Sequence, residues 1–435
     1  MHRVLHAVRD DFALLLIALL LNVALPMVAP AQQAPDSDGS TATYLAIADE
    51  FRVPGLEDRR FDHAEYWDAL QIADEADEVG DGRIRLTEVG RSIEDRAIRA
   101  VTFGNGPTSA LLWSQMHGDE STASMALADI LHWVAASPAD DPLRRLLEDR
   151  LTVTMIPMLN PDGAERFIRH NAIGVDVNRD ARGLATPEGR ILKAVRDSIG
   201  ADFGFNLHDQ GSRTAGRDGD LVAIALLAPA ADGERSWGPV RQRARHLSAV
   251  IAAALEPKIA GRIARYDDEF TPRAFGDNMQ AWGTSTVLIE SGELPGDPEK
   301  QELRRLNVLA ILAALEAIAD GSYEQIPTAH YDDLPMNVGI TDDLVLSGGL
   351  LMMDGGETFR VDVAIVYDDG VARTGPRYGE IGDLSGVRAI ETRDVTGLYI
   401  HPDFGDTGFL RRGDPARFVV RSGPEPDSEA VMRLP

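Results

Sequence analysis

The sequence predicts a mixed α/β domain, built on a mostly parallel sheet flanked by helices, followed by a small all-β domain. Short apolar runs alternate with longer amphipathic segments from Arg83 to Leu315, the pattern of strands separated by helices. Beyond Pro327 the helical segments stop, and short apolar runs are parted by Gly, Asp and Pro turns. At 435 residues the chain is long enough to bury a large core and to hold more than one domain.

Residues 1–31 read as a secretory signal peptide. His2, Arg3, His6 and Arg9 precede an apolar stretch from Phe12 to Leu25, and Ala29-Pro30-Ala31 supplies small residues for cleavage. The expected location is periplasmic or extracellular; Asp10 and Asp11 leave an uncleaved membrane anchor as the alternative. Residues 32–43 are small, polar and aperiodic, as in a linker; the next segment, to about residue 80, reads as helical from a Tyr44-Leu45 pattern, and residues 32–65 together form a lead into the first domain. That domain is expected over 66–322. Its strands are Ile98 to Phe103, Ala110 to Gln115, Leu151 to Met158, Phe203 to Leu207, Leu221 to Leu227 and Thr286 to Ile289. Its helices run from about Ser121 to Ala136, Pro187 to Ile199, Val240 to Leu255 and Pro298 to Ala319. Residues 327–435 are expected to form a sandwich-like β domain.

A formal charge of −27 excludes a nucleic-acid partner, because phosphate binding needs a basic surface. The absence of cysteine excludes disulfides, thiolate metal ligands and a cysteine nucleophile.

In open α/β sheets ligands gather beyond the carboxyl ends of the strands. His117, Asn160, His208 and Glu290 each fall at or near such an end. His117-Gly118-Asp119-Glu120 is the only H-x-x-E in the chain, and on a tight turn that spacing aims both side chains at one point. With His208 it supplies two imidazoles and a carboxylate, the set that holds a catalytic zinc and leaves one position for water. Each histidine, taken singly, has the plainer reading of a structural or exposed residue. Glu290 ends an apolar strand, where burial would raise its pKa and suit it to proton transfer; Glu293 competes for that role. Asn178-Arg179 offers a planar guanidinium beside a carboxamide, able to clamp a carboxylate, although such arginines, like Arg169 and Arg96, are commonly solvated surface.

Together these residues resemble the zinc carboxypeptidases of the pancreatic type, over roughly residues 66 to 322. Gly90 to Arg96 looks like that family's opening strand and turn, His117 to Glu120 like its paired ligands, and Asn160-Pro161-Asp162-Gly163 like its buried turn. Asn178-Arg179 matches its clamp for the substrate's terminal carboxylate, His208 its third ligand and Glu290 its catalytic glutamate. The resemblance implies one Zn²⁺ per chain and hydrolysis of the C-terminal peptide bond by a zinc-activated water, with Glu290 as general base. It also implies a role for Arg169 at the scissile carbonyl oxygen, and it leaves Arg96 and Tyr266 as further substrate-binding candidates. The implied partner is a peptide or acylated amino acid with a free carboxylate. Asp180 stands where many members carry Asn, and Asp209-Gln210 where many carry Ser, which bears on substrate preference. A zinc-dependent deacylase or amidase acting on N-acyl amino acids or cell-wall peptides is the alternative activity. A non-catalytic binding module is the third reading.

Overall fold

The computed structural model describes residues 37–70, 83–216, 219–339, 342–369, 373–405 and 410–434, all within one compact unit that begins at Ser37. The expected signal peptide lies outside the described residues. Among those described, no helix is long and apolar enough to cross a membrane.

The first helix, α1 (Ser37–Glu50), overturns half of the expected linker. Thr41, Tyr44, Leu45 and Ala48 are buried, and their spacing of three, four and seven makes one helical stripe. Tyr44, Leu45, Ile47, Ala48, Val53, Leu56 and Phe61 all join the largest apolar cluster, so the chain is already part of the core well before residue 66. The helix expected from Tyr44 is present, and small polar residues hid only its start before that position. Next come α2 (His63–Ala69), β1 (Ile84–Arg91), β2 (Ala97–Phe103), β3 (Thr108–Trp113), α3 (Thr122–Ala136), α4 (Pro142–Arg150) and β4 (Leu151–Ile156). They are followed by α5 (Pro161–Arg166), α6 (Pro187–Ile199), β5 (Phe203–Asp209), β6 (Arg213–Ala215), β7 (Ile224–Leu227), α7 (Pro239–Ile259), β8 (Ile263–Arg265), α8 (Phe275–Ala281), β9 (Ser285–Ser291), α9 (Gln301–Asp320) and α10 (Ala329–Asp332).

Eight of these strands form one sheet in the order β1-β2-β4-β3-β5-β9-β7-β8. Its middle, β4-β3-β5-β9, is parallel, while β1, β2 and β7 join antiparallel. Parallel strands are covered on both faces and therefore read as unbroken apolar runs. β3 shows how the two faces divide: Ala110 and Leu112 enter the cluster with α1, α3, α7 and α9, whereas Leu111 and Trp113 enter the opposite cluster with Leu192 of α6 and Phe275 of α8. Because β3, β4, β5 and β9 run the same way, their carboxyl ends share one edge of the sheet. His117, Asn160, His208 and Glu290 are gathered there by topology.

Past α10, β10 (Asn337–Gly339) pairs antiparallel with β6 of the first domain. The remaining strands are β11 (Asp342–Met352), β12 (Thr358–Asp369), β13 (Thr374–Gly382), β14 (Ala389–Asp394), β15 (Tyr399–Pro402), β16 (Phe418–Arg421) and β17 (Ala430–Leu434). They make a single seven-stranded sheet, which corrects the sandwich expectation. β11 is the reason: it pairs with β14 through Asp342–Ser347 and then with β15 at Leu350–Leu351, so one long strand serves two neighbours.

The lead segment is fastened by a buried ion pair. Arg304 on α9 donates through Nε to Asp129 Oδ2 at 2.7 Å, and its Nη atoms donate to Leu56 O at 2.7 Å and Val53 O at 3.0 Å. Asp129 on α3 in turn accepts from Val53 N at 2.8 Å. Both side chains are shut off from solvent, so the pair counts by being complete. Replacing Asp129 with alanine strands the guanidinium and should cost about 3–5 kcal/mol in chemical denaturation. A loss below about 1 kcal/mol would show that the loop at Val53–Leu56 is not fastened this way.

Candidate metal centre

Between β3 and α3 the chain turns tightly, with Glu120 N donating to His117 O at 3.2 Å. This turn brings the ends of the H-x-x-E motif together, and Glu120 Oε1 lies 2.7 Å from His117 Nδ1. Its glycine is required by a close approach: a Cβ on Gly118 would stand 1.9 Å from the carbonyl carbon of Gly163. Gly163 belongs to the Asn160-Pro161-Asp162-Gly163 turn, which buttresses the motif from behind. Asn160 Oδ1 caps α5 by accepting from Gly163 N at 2.9 Å, its Nδ2 donates to Met116 O at 3.3 Å, and its backbone N–H donates to Gln115 O at 2.9 Å.

The third residue arrives on β5. His208 Nδ1 lies 2.7 Å from Glu120 Oε2, so one carboxylate faces both imidazoles. Ligand atoms of His117, Glu120 and His208 all fall within 4.8 Å of one another, and all three residues are buried. This set suits zinc. Two imidazole nitrogens and a carboxylate oxygen are its ordinary catalytic donors, and about 3.4 Å separates donors around a tetrahedral ion with bonds near 2.1 Å.

Asp176, whose role was not legible in the sequence, completes the set from outside. Its Oδ1 lies 3.1 Å from His117 Nε2 and fixes the ring so that Nδ1 faces Glu120. The same carboxylate accepts from Asn178 N at 2.9 Å and, through Oδ2, from Arg169 Nε at 3.2 Å and Nη2 at 3.0 Å. Arg169 Nη1 then reaches Glu120 Oε1 at 3.2 Å and lies 3.1 Å from His117 Nδ1. Arg169 thus stands at the donor set itself. Burial pushes the His117 imidazole down, but the charge of Glu120 and the hydrogen bonds the ring donates to Asp176 and Glu120 outweigh it and carry the ring to about 9. For Glu120 the order is similar: burial alone would raise its pKa, yet the two histidines hold it well below the carboxylate range. Burial lowers His208.

Glu290 lies directly across from His208 in the β5–β9 register. It lines a cavity of about 580 Å³ together with His117, Glu120, Arg169, Asn178, Arg179 and Tyr266. Burial, followed by the charge of Glu120, raises its carboxyl well above the usual range. Glu293 lines the same cavity but lies past the end of β9, where it accepts from Ser212 Oγ at 2.8 Å. Asn178 is held in place by accepting from Phe275 N at 2.9 Å, and its Nδ2 lies 3.4 Å from His208 Nε2. Arg179 is exposed; its guanidinium donates to Asn178 O at 2.8 Å, and among the described residues no carboxylate pairs with it. Tyr266 follows β8 with its ring 5.7 Å from the Arg213 guanidinium.

Arg96 stands apart from these residues. It does not line the cavity, because its Nη1 is held by Asp162 Oδ1 at 2.7 Å and Glu94 Oε2 at 2.6 Å. Asp162 is fully buried and also accepts from Ser92 Oγ at 2.7 Å, so Arg96 secures the opening turn. Asp176 could have been found from its place two residues before Asn178, but nothing in that spacing says which side chain it would meet.

The zinc carboxypeptidase family model matches residues 70–209, the segment that carries His117, Glu120, Arg169, Asn178, Arg179 and His208. The resemblance seen in the sequence is matched over that segment, which is similar to the zinc carboxypeptidase family. Carboxypeptidase SOL1 of Arabidopsis thaliana is 28% identical over 102 residues, 22% of this chain and 21% of that protein. An uncharacterized protein of Zymomonas mobilis is 29% identical over 134 residues, 30% of this chain and 35% of that protein. The chain spans well under half the length of the curated relatives it matches. Among solved structures, a metallo-carboxypeptidase from Burkholderia cenocepacia is similar with a TM-score of 0.47 and 21% identity, covering 60% of this chain and 69% of that one.

Zinc takes neutral imidazole, whereas His117 without metal titrates near 9 and is protonated at pH 7. Zinc binding at pH 7 should therefore release about one proton per chain, read by calorimetry in buffers of different ionisation heat. Release should fade as the pH is raised past 9. Binding that releases no proton at pH 7 would remove His117 from the ligand set.

Proposed function

We propose that this chain is a zinc-dependent carboxypeptidase that removes the last residue from peptides with a free C-terminal carboxylate. The observation that carries the reading is Arg179: an exposed guanidinium with no carboxylate partner among the described residues, in one cavity with Glu290 and the His117–Glu120 donors. Such a group binds a carboxylate through two parallel hydrogen bonds and fixes which end of a peptide enters. Held this way, the substrate presents its last amide to the donor set.

His117, Glu120 and His208 would hold the zinc, which when bound lowers the pKa of a coordinated water to about 7 and polarises a carbonyl. Glu290 takes the proton from the attacking water, a task suited to a carboxyl whose pKa burial has raised, and returns it to the departing amine. Arg169, already beside Glu120, donates to the carbonyl oxygen as charge develops there. Asp176 holds both His117 and Arg169 in place.

A second reading, hydrolysis of N-acyl amino acids or cell-wall peptides, would use the same groups. It is favoured by one feature: Asp368, from the C-terminal sheet, lines the cavity, so that sheet bounds the space open to a substrate. Export belongs to the same proposal and rests on the charged, apolar and small-residue segments of residues 1–31. Identifying the first residue of the secreted chain checks it.

Glu290→Gln should lower turnover by on the order of 10²–10⁴ while zinc content stays near one ion per chain by metal analysis. A fully active variant takes Glu290 out of the mechanism. A peptide ending in an amide should lose at least about tenfold in kcat/KM against the free acid, because one hydrogen-bonded charge is left unmatched. Equal turnover of the two would remove the role given to Arg179.

A further inference from the structure

Two residues before His208 on β5 stands Asn206, and alternate residues of a strand share a face about 6.6 Å apart. The register pairs His208 with Glu290 and Asn206 with Leu288 across β5 and β9, and then Leu288 with Leu227 across β9 and β7. Asn206, Leu288 and Leu227 therefore form a row one step below the row that holds His208 and Glu290. All three line the cavity, as do Pro229, Ala274 and Gly276. Gly276 lets the first turn of α8 close on this row, since even a Cβ there would stand 3.3 Å from Pro229 Cγ and 3.4 Å from Asn206 Nδ2.

In that apolar setting the Asn206 carboxamide is an anomaly. The residue is 2% exposed, and its Oδ1 is buried without a hydrogen-bond partner. Buried polar groups are nearly always satisfied, and one left unpartnered on a cavity-lining residue marks a place where a ligand completes the bond. Its distance below the reacting row suits the side chain of the residue whose carboxylate Arg179 would hold.

We propose that Asn206 determines specificity at this site: its carboxamide hydrogen-bonds the neutral polar side chain, an amide or a hydroxyl, of the substrate's last residue. The identity of the ligand rests on the carboxypeptidase reading above. Leu227, Leu288, Pro229 and Ala274 leave an anionic side chain without compensation for its lost hydration. Asp277, on the same wall, has Oδ1 occupied by Thr271 N at 2.8 Å and repels a second carboxylate. An aliphatic side chain fits by shape, but it leaves Asn206 unpaired.

The test uses N-acetyl dipeptides that differ only in the last residue: glutamine, asparagine, leucine, lysine or glutamate. Their binding to the zinc-loaded Glu290→Gln protein is measured by calorimetry, and their hydrolysis by the protein with Glu290 intact is followed in parallel. Asparagine and glutamine should bind at least about tenfold more tightly than leucine, with glutamate weakest. Asn206→Leu, close in volume and without polarity, should make leucine the tightest. Asn206→Ser, smaller and still polar, should narrow the preference and serves if the leucine variant does not fold. Leucine or lysine binding most tightly, a ranking untouched by either variant, or no binding of any peptide overturns the proposal. The expected ranking without any hydrolysis overturns the peptidase reading alone, and hydrolysis without the ranking overturns the role of Asn206 alone.

Discussion

A single buried carboxylate organises this molecule's site. Glu120 faces the Nδ1 atoms of His117 and His208 at 2.7 Å each and also accepts from Asp209 N at 3.2 Å. An ionised carboxylate removed from water is tolerated only when it is paired, so the turn before α3 and the end of β5 are bound to one another through it. The constraint extends outward. His117 must present one face to Glu120 and the other to Asp176, and Asp176 must then satisfy Arg169 and the backbone of Asn178. The segment from 169 to 179 is thereby drawn to the same edge of the sheet as Glu290.

The second dependence is steric. Gly118 and Gly163 sit where two chain segments touch backbone to backbone, and Asn160 spends both ends of its carboxamide holding them there. A rigid turn behind the candidate donors keeps three side chains aimed at one point. Lys300 plays a comparable part on the far side: it is buried, and its ammonium reaches Asp209 Oδ2 at 3.2 Å and Ser291 O at 3.3 Å. It ties the end of β5 to the end of β9, and so His208 to Glu290.

The C-terminal sheet is joined to this arrangement by local contacts. β10 extends β6 by three register pairs, and Gln210 exchanges hydrogen bonds with Asn337 at 2.7 and 3.3 Å. Gln210 follows the β5 edge that carries His208, so the second sheet approaches the cavity from the strand that supplies a ligand. Asp368 marks its reach into the cavity wall.

The sequence by itself determined the central strands and long helices of the first domain and pointed to the candidate donors. Apolar periodicity is a local property, and an H-x-x-E turn brings its two ends together within four residues. The approach of His208 followed from strand ends sharing one edge. What it could not determine was how each polar side chain would be partnered. Arg96 and Arg169 look alike in the chain, yet Asp162 takes the first away from the cavity and Asp176 holds the second inside it. The start of α1 was hidden because its buried stripe is diluted there by small polar residues, and the single C-terminal sheet because β11 changes neighbours midway. Those outcomes depend on which groups compete for a partner across hundreds of residues, and only the packed structure brings the competitors within reach.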